Sequence, residues 1–154
     1  DGYDGVTFMF SANKGEPVKE LSKIISGGEL SRFMLAIKTQ TAKAQDIGVF
    51  VFDEIDVGIS GETAMIVAKK FADIAKNTQV IAISHLPQVS AMADNSVLIK
   101  KTEGEITTKT SVISLDYEGK VSEVARLAGG GINGNKAQEL AKDLINYCDE
   151  YKKL

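Results

Sequence analysis

Val6, Phe8 and Phe10 alternate with Thr7, Met9 and Ser11, the period of a half-buried strand, and Asn13-Lys14-Gly15-Glu16-Pro17 is a turn that would end it. Residues 18–25 carry a few apolar anchors without a regular period. After Ser26-Gly27-Gly28-Glu29 the period changes: Leu30, Phe33, Met34, Ile37 and Thr41 recur at helical spacing to about Ala44. Asp46-Ile47-Gly48 turns the chain into Val49-Phe50-Val51-Phe52. A run this short and this rich in β-branched and aromatic residues predicts a strand of a parallel sheet, buried on both faces.

A loop with two glycines spans 56–61, and a helix is expected over 62–76 with the stripe Ala64, Ala68, Phe71, Ala72 and Ala75. Val80 to Ile83 then reads as a second buried strand, which completes a strand–helix–strand unit with a right-handed crossover. Pro87 opens a short helix to about Ala93. Residues 97–100 and 106–114 form an expected antiparallel hairpin around Glu103-Gly104. Helices are expected over 118–128 and 135–152, separated by Gly129-Gly130-Gly131. The last carries the stripe Ala137, Leu140, Ala141, Leu144, Ile145, Cys148 and Tyr151. The fold class expected is therefore α/β: a parallel sheet core with flanking helices, plus an antiparallel hairpin.

Composition narrows this little. The chain has 154 residues, enough for one domain with its own core, and 44% hydrophobic and 25% charged residues are ordinary for a globular protein. With 18 basic and 21 acidic residues interspersed, and a net charge of −3, there is no basic footprint for nucleic acid. The single cysteine, Cys148, excludes an intrachain disulfide and a cysteine metal cluster. No apolar run approaches a membrane span and no signal peptide is visible, so no membrane contact is expected. The missing initiator Met suggests a fragment or a processed chain.

Three stretches carry chemistry. Ser26 to Glu29 fits a capping box, Ser at the cap and Glu three positions on. Capping leaves the two glycines unexplained, whereas a helix start bare of side chains lets backbone N–H groups approach an anion. Asp53 and Glu54 follow the first buried strand, where open α/β sheets bind ligands. They read either as a solvated turn or as a division of labour, one carboxylate for Mg²⁺ and the other accepting a proton from a water. His85 follows the second strand. It reads either as structural or as a hydrogen-bond partner for a phosphate. Taken together, the three fit metal-assisted hydrolysis of a nucleoside triphosphate.

These residues also carry a resemblance. Ser26-Gly27-Gly28-Glu29-Leu30-Ser31-Arg32 resembles the signature motif of ABC-type ATPases, in the form used by SMC-like proteins. Val49 to Glu54 resembles the Walker B motif with its catalytic acid, and Ser84-His85 the switch-histidine loop. Asp53 through Gly61 and His85-Leu86-Pro87-Gln88-Val89, with Phe10 to Asn13 and Gly15-Glu16-Pro17 upstream, are similar to the C-terminal part of bacterial SMC-like ATPases of DNA double-strand-break repair and recombination. The resemblance implies that Ser26, Gly27, Gly28 and Glu29 contact the γ-phosphate of an ATP bound mainly by a partner subunit. It implies Asp53 as support for Mg²⁺, Glu54 as general base and His85 as γ-phosphate sensor. The 56–61 loop, with Asp56 and Ser60, would lie at a head–head homodimer interface. Ser60 stands where most ABC and SMC proteins have Asp, which supports the narrower likeness and weakens any role borrowed from that Asp.

The phosphate-cradling Gly-x-x-x-x-Gly-Lys-Ser/Thr is absent from these residues. Gly129 to Gly134 comes nearest, but Asn135 precedes Lys136 and Ala137 replaces the hydroxyl, so it reads as a plain loop. By resemblance, the P-loop lobe lies N-terminal, before a long coiled coil, and this chain begins just after that coiled coil returns. The expectation is one domain over 1–154, the C-terminal lobe of an ATPase head, inactive alone. It would act with its N-terminal lobe, with a second head and, through the whole protein, with DNA in the bacterial cytoplasm at the nucleoid. A non-catalytic docking or dimerisation module, or the head lobe of another SMC-type chromosome protein, are the alternatives.

Overall fold

The computed structural model describes residues 2–11, 14–24, 27–41, 47–53, 55–59, 61–103, 107–129 and 134–154. The fold is mixed α/β, with three two-stranded sheets among the described residues. Strands β1 (Met9–Phe10) and β2 (Lys19–Glu20) pair antiparallel and lead into a one-turn helix α1 (Leu21–Ile24) and the longer α2 (Gly27–Thr41). The expected strand from Val6 is thus only two residues long. Val6 and Phe8 remain exposed, although Phe8 meets Phe33 of α2 edge-on at 5.9 Å. The expected irregular stretch 18–25 instead supplies β2 and α1.

Strand β3 (Val49–Phe52) is followed by helix α3 (Gly61–Ala75) and strand β4 (Gln79–Ala82). The two strands pair parallel, Val49 opposite Gln79 through Phe52 opposite Ala82, as the strand–helix–strand reading requires. Helix α4 (Pro87–Met92) has Pro at its first turn. Strands β5 (Ser96–Glu103) and β6 (Thr108–Leu115) make the expected antiparallel hairpin; its turn at Gly104 lies outside the described residues. Helices α5 (Tyr117–Leu127) and α6 (Asn135–Lys152) close the chain. Asp116 caps α5 by accepting from the Gly119 N–H at 2.8 Å, satisfying one orphan donor of the first turn.

One core joins these parts. Leu35 of α2, Phe50 and Phe52 of β3, Ala64, Val67, Ala68, Phe71, Ala72 and Ile74 of α3, and the inward residues of α4, α5 and α6 form a single cluster. The aromatic rings stack through it, Phe50 against Phe52 at 6.1 Å and Phe52 against Phe71 at 5.1 Å.

Three expectations are corrected. Strand β3 is buried on one face only: Phe50 and Phe52 face the core, while Val49 and Val51 are exposed. The reason is that the helices close one side of the β3–β4 pair, and Ile81 and Ile83 lie bare beside Val51. Leu140 is exposed, because α6 packs through the narrower seam of Ala141, Ile145 and Cys148, with Ala137, Leu144 and Tyr151 half-buried at its flanks. Ala75, the last residue of its expected stripe, and Ala128, the last residue of the helix expected over 118–128, are exposed where their helices end.

Candidate functional site

Parallel pairing sends β3 and β4 out of the sheet at the same end. The Ile83 N–H still donates to the Phe52 carbonyl at 2.9 Å, so Asp53 and Ser84-His85 leave the sheet side by side. Asp53 is exposed there. Two residues further, Ile55 is fully buried and pins the loop to the core. Gly58, at φ +76°, lets the loop turn back, with the Ile59 N–H donating to the Asp56 carbonyl at 3.3 Å.

Asp56 is the centre of the arrangement. Its side chain is 2% exposed, and its Oδ2 accepts from Ser84 Oγ at 2.6 Å and from the His85 backbone N–H at 2.7 Å, with His85 Nδ1 3.0 Å away. Ser84 Oγ in turn accepts from the Leu86 N–H at 3.1 Å. A buried carboxylate without partners is costly; here two donors replace its water, and the imidazole lies against it. The His85 imidazole is nonetheless 71% exposed, so it is held at one edge and open elsewhere.

The start of α2 is fastened to the same loop. The Arg32 guanidinium reaches from α2 to donate to the Val57 carbonyl at 2.8 Å and the Ile55 carbonyl at 3.3 Å. Gly28 is buried against this contact: a Cβ there would stand 2.8 Å from the Val57 oxygen and 3.2 Å from Arg32 Nη1. The close approach supplies a packing reason for one of the two glycines that capping left unexplained. Glu29 places a negative charge in the first turn of α2, where the helix dipole favours it.

Of the residues singled out by sequence, Gly27, Gly28 and Glu29 open α2, Asp53 follows β3, and Asp56 and His85 are in direct contact. Ser26, Glu54 and Ser60 lie outside the described residues. Among the described residues no three His, Cys, Asp or Glu side chains gather as metal ligands. Sequence reasoning assigned no role to Arg32 and placed Asp56 at an interface; the structure turns its carboxylate inward onto Ser84 and His85. For Arg32 a signal existed: the chain has only one other arginine, Arg126, and Arg32 follows the glycine pair by one helical turn. Nothing local marks Asp56 as buried.

No protein-family model matches the chain. The chain is 45% identical, over 154 residues, to DNA repair protein RecN of Halalkalibacterium halodurans, covering 99% of this chain and 27% of that protein. RecN of Bacillus subtilis is 43% identical over 151 residues, covering 98% of this chain and 26% of the relative. RecN of Treponema pallidum is 44% identical over 144 residues, with 94% and 25% covered. The chain thus spans about a quarter of the length of the curated relatives it matches. A solved structure from work on ATP-driven dimerization and DNA-stimulated activation of SMC ATPases is 25% identical and covers 74% of this chain and 68% of its own, at a TM-score of 0.46.

Proposed function

We propose that this chain, homologous over nearly its whole length to about a quarter of RecN, is the C-terminal lobe of a RecN-like ATPase head that acts in bacterial DNA double-strand-break repair. The observation that carries the reading is contact between three motif-bearing segments. Asp56 joins the loop after β3 to Ser84-His85 after β4, while Gly28 and Arg32 clamp the start of α2 to the same loop. Residues far apart in sequence thereby form one continuous surface at the end of the parallel strands, where such sheets bind ligands.

In this reading each residue has a distinct task. Asp53, exposed at the strand end, contributes a carboxylate oxygen to Mg²⁺. No cluster of three His, Cys, Asp or Glu side chains forms among the described residues, so Asp53 would hold the ion only together with groups from outside them. Magnesium-bound ATP supplies the γ-phosphoryl group that passes to water. Glu54 takes the proton of that water. Ser26, Gly27, Gly28 and Glu29 present the start of α2 to the γ-phosphate of an ATP held by the partner head. His85 contacts a γ-phosphate oxygen through its open edge. Since the Asp56 carboxylate faces inward, the 56–61 loop meets a second head through exposed Val57 and through Ser60.

The bare face of β3–β4 supports the same view. Val49, Val51, Ile81 and Ile83 make an apolar surface on a sheet whose other face packs against the core through Phe50 and Phe52, with Val80 and Ala82 half-buried. Contiguous apolar patches mark interaction sites. The occupant proposed is the N-terminal P-loop lobe of the same protein, since the relatives extend well beyond the span of this chain. In this reading the whole protein contacts DNA in the bacterial cytoplasm at the nucleoid, a reading supported by the likeness to DNA repair protein RecN. No helix among the described residues is long and apolar enough to cross a membrane.

The test is turnover. The chain alone is expected to bind ATP weakly and not to hydrolyse it; submicromolar binding or clear turnover overturns the half-site reading. Joined to its P-loop lobe it should hydrolyse ATP, and Glu54→Gln should cost about 10²–10⁴-fold, the usual worth of a general base. Activity that survives this change removes Glu54 from the role.

A further inference from the structure

We propose that Asp56 is a positioning residue for His85: a buried carboxylate that fixes the proton of the imidazole on Nδ1 and so decides what Nε2 presents to a ligand.

A carboxylate oxygen only accepts. His85 Nδ1 lies 3.0 Å from Asp56 Oδ2, so the contact is a hydrogen bond only when Nδ1 carries the proton. The same oxygen is fixed on two further sides by the Ser84 hydroxyl at 2.6 Å and the His85 backbone N–H at 2.7 Å. Asp56 is itself held by buried Ile55 before it and by the turn at Gly58 after it. The acceptor therefore has a set place, and the ring must come to it. An imidazole 71% exposed would otherwise be free to rotate and to exchange tautomers. Holding one ring nitrogen with a second group is the general way to fix the chemistry of the other.

The consequence is specific. With Nδ1–H given to Asp56, the neutral ring offers a lone pair at Nε2, suited to a water or hydroxyl proton. It donates to a phosphate oxygen only as the doubly protonated cation, with the Asp56 carboxylate as its counter-charge. The link to ATP turnover rests on the reading of His85 above; the positioning itself does not.

Because His85 is the only histidine in the chain, ring ¹⁵N shifts of the histidine-labelled chain report on it directly. In the neutral ring the wild-type chain should show a protonated Nδ1 and a bare Nε2. Asp56→Ala should move the ring toward the Nε2–H form that an unconstrained histidine side chain favours, and Asp56→Asn, which keeps an oxygen acceptor, should restore Nδ1–H. A bare Nδ1 in the wild-type chain overturns the proposal even if Asp56→Ala does not fold, as does a tautomer unchanged in a folded Asp56→Ala. In the protein joined to its P-loop lobe, Asp56→Ala should lower turnover about 10–100-fold, as loss of a supporting partner does elsewhere. It should cost nothing further in a His85→Ala background. A multiplicative loss in the double variant means that Asp56 acts independently of His85 and overturns the positioning role. Full activity of His85→Ala with the tautomer confirmed retains the positioning and removes the γ-phosphate reading instead.

Discussion

The two faces of strand β3 carry residues of the same kind and meet opposite fates. Phe50 and Phe52 are 8% and 9% exposed, closed over by α3 and the rest of the core; Val51, between them, is 64% exposed beside Ile81 and Ile83. Local pattern cannot separate these faces, because an uninterrupted apolar run states how many neighbours a strand is built for, not where those neighbours are encoded. The covered face is satisfied within this chain. The bare face is equally apolar and has no apolar cover among the described residues. The difference teaches that an apolar run records the need for cover and not the source of it.

The sharpest way to break this comparison is to truncate one residue on each face. Phe52→Ala should cost about 3–5 kcal/mol, since it removes a ring packed at 5.1 Å against Phe71 and leaves a cavity. Val51→Ala, on the bare face, should change the denaturant midpoint of the same chain little. Equal losses from the two, measured by denaturant unfolding, would mean that the faces are not energetically distinct.

How far the sequence made this legible depends on the range of the interaction. The parallel β3–β4 pair, the hairpin of β5 and β6, and helices α3, α5 and α6 were readable because their period and their breakers are local. Burial on both faces of β3 was misread, since it depends on elements that Val49 and Val51 cannot reveal. Leu140 was misread for a related reason: an apolar stripe is broader than the seam that Ala141, Ile145 and Cys148 use. At the site, the residue types and their placement after the strands were readable. The inward turn of Asp56 onto residues 28 and 29 positions later was not, because no local spacing encodes a loop-to-loop hydrogen bond. Gly28 was noticed as a glycine without a capping reason, and its reason proved to be the Val57 carbonyl.

That close contact gives the next largest effect and asks whether polar packing at the site is as unforgiving as the covered face. Gly28→Ala places a methyl group 2.8 Å from the Val57 oxygen, a backbone atom that cannot step aside cheaply. A loss of about 1–3 kcal/mol is expected, the range for overpacking. Gly48→Ala is the control: a Cβ there meets nothing within 4 Å and its φ is not left-handed, so a change within about 0.5 kcal/mol is expected. If both are neutral by thermal unfolding, the junction between α2 and the 55–59 loop is looser than its distances indicate.

A smaller effect tests the seal of the covered side at α6. Burial pushes the Cys148 thiol above its ordinary 9.0, with Asp149 adding to the rise and Lys120 and Lys152 opposing it. The folded chain therefore keeps this proton to higher pH than the unfolded chain does. The contribution to stability is present below about pH 9 and is lost as pH rises through the folded value. Stability should decline in that alkaline window more steeply for the wild-type chain than for Cys148→Ala, read as denaturant midpoints at successive pH values. Parallel curves would mean that water reaches the thiol.

The smallest effect in the isolated chain decides what the bare face is for. Val51→Thr keeps the shape of the side chain and exchanges a methyl group for a hydroxyl. On an exposed position this exchange should stay within about 0.5 kcal/mol. Under a covering lobe the hydroxyl loses water without a programmed partner, at about 1–3 kcal/mol. The two environments therefore give different answers to one substitution. Unfolding of the isolated Val51→Thr chain should match wild type, while its affinity for the separately produced P-loop lobe, measured by titration calorimetry, should fall about 5- to 150-fold. Unchanged affinity would place the lobe elsewhere and leave the apolar face to a different partner. A loss already present in the isolated chain would show that Val51 is covered by this chain itself, and the contrast between the two faces of β3 would collapse.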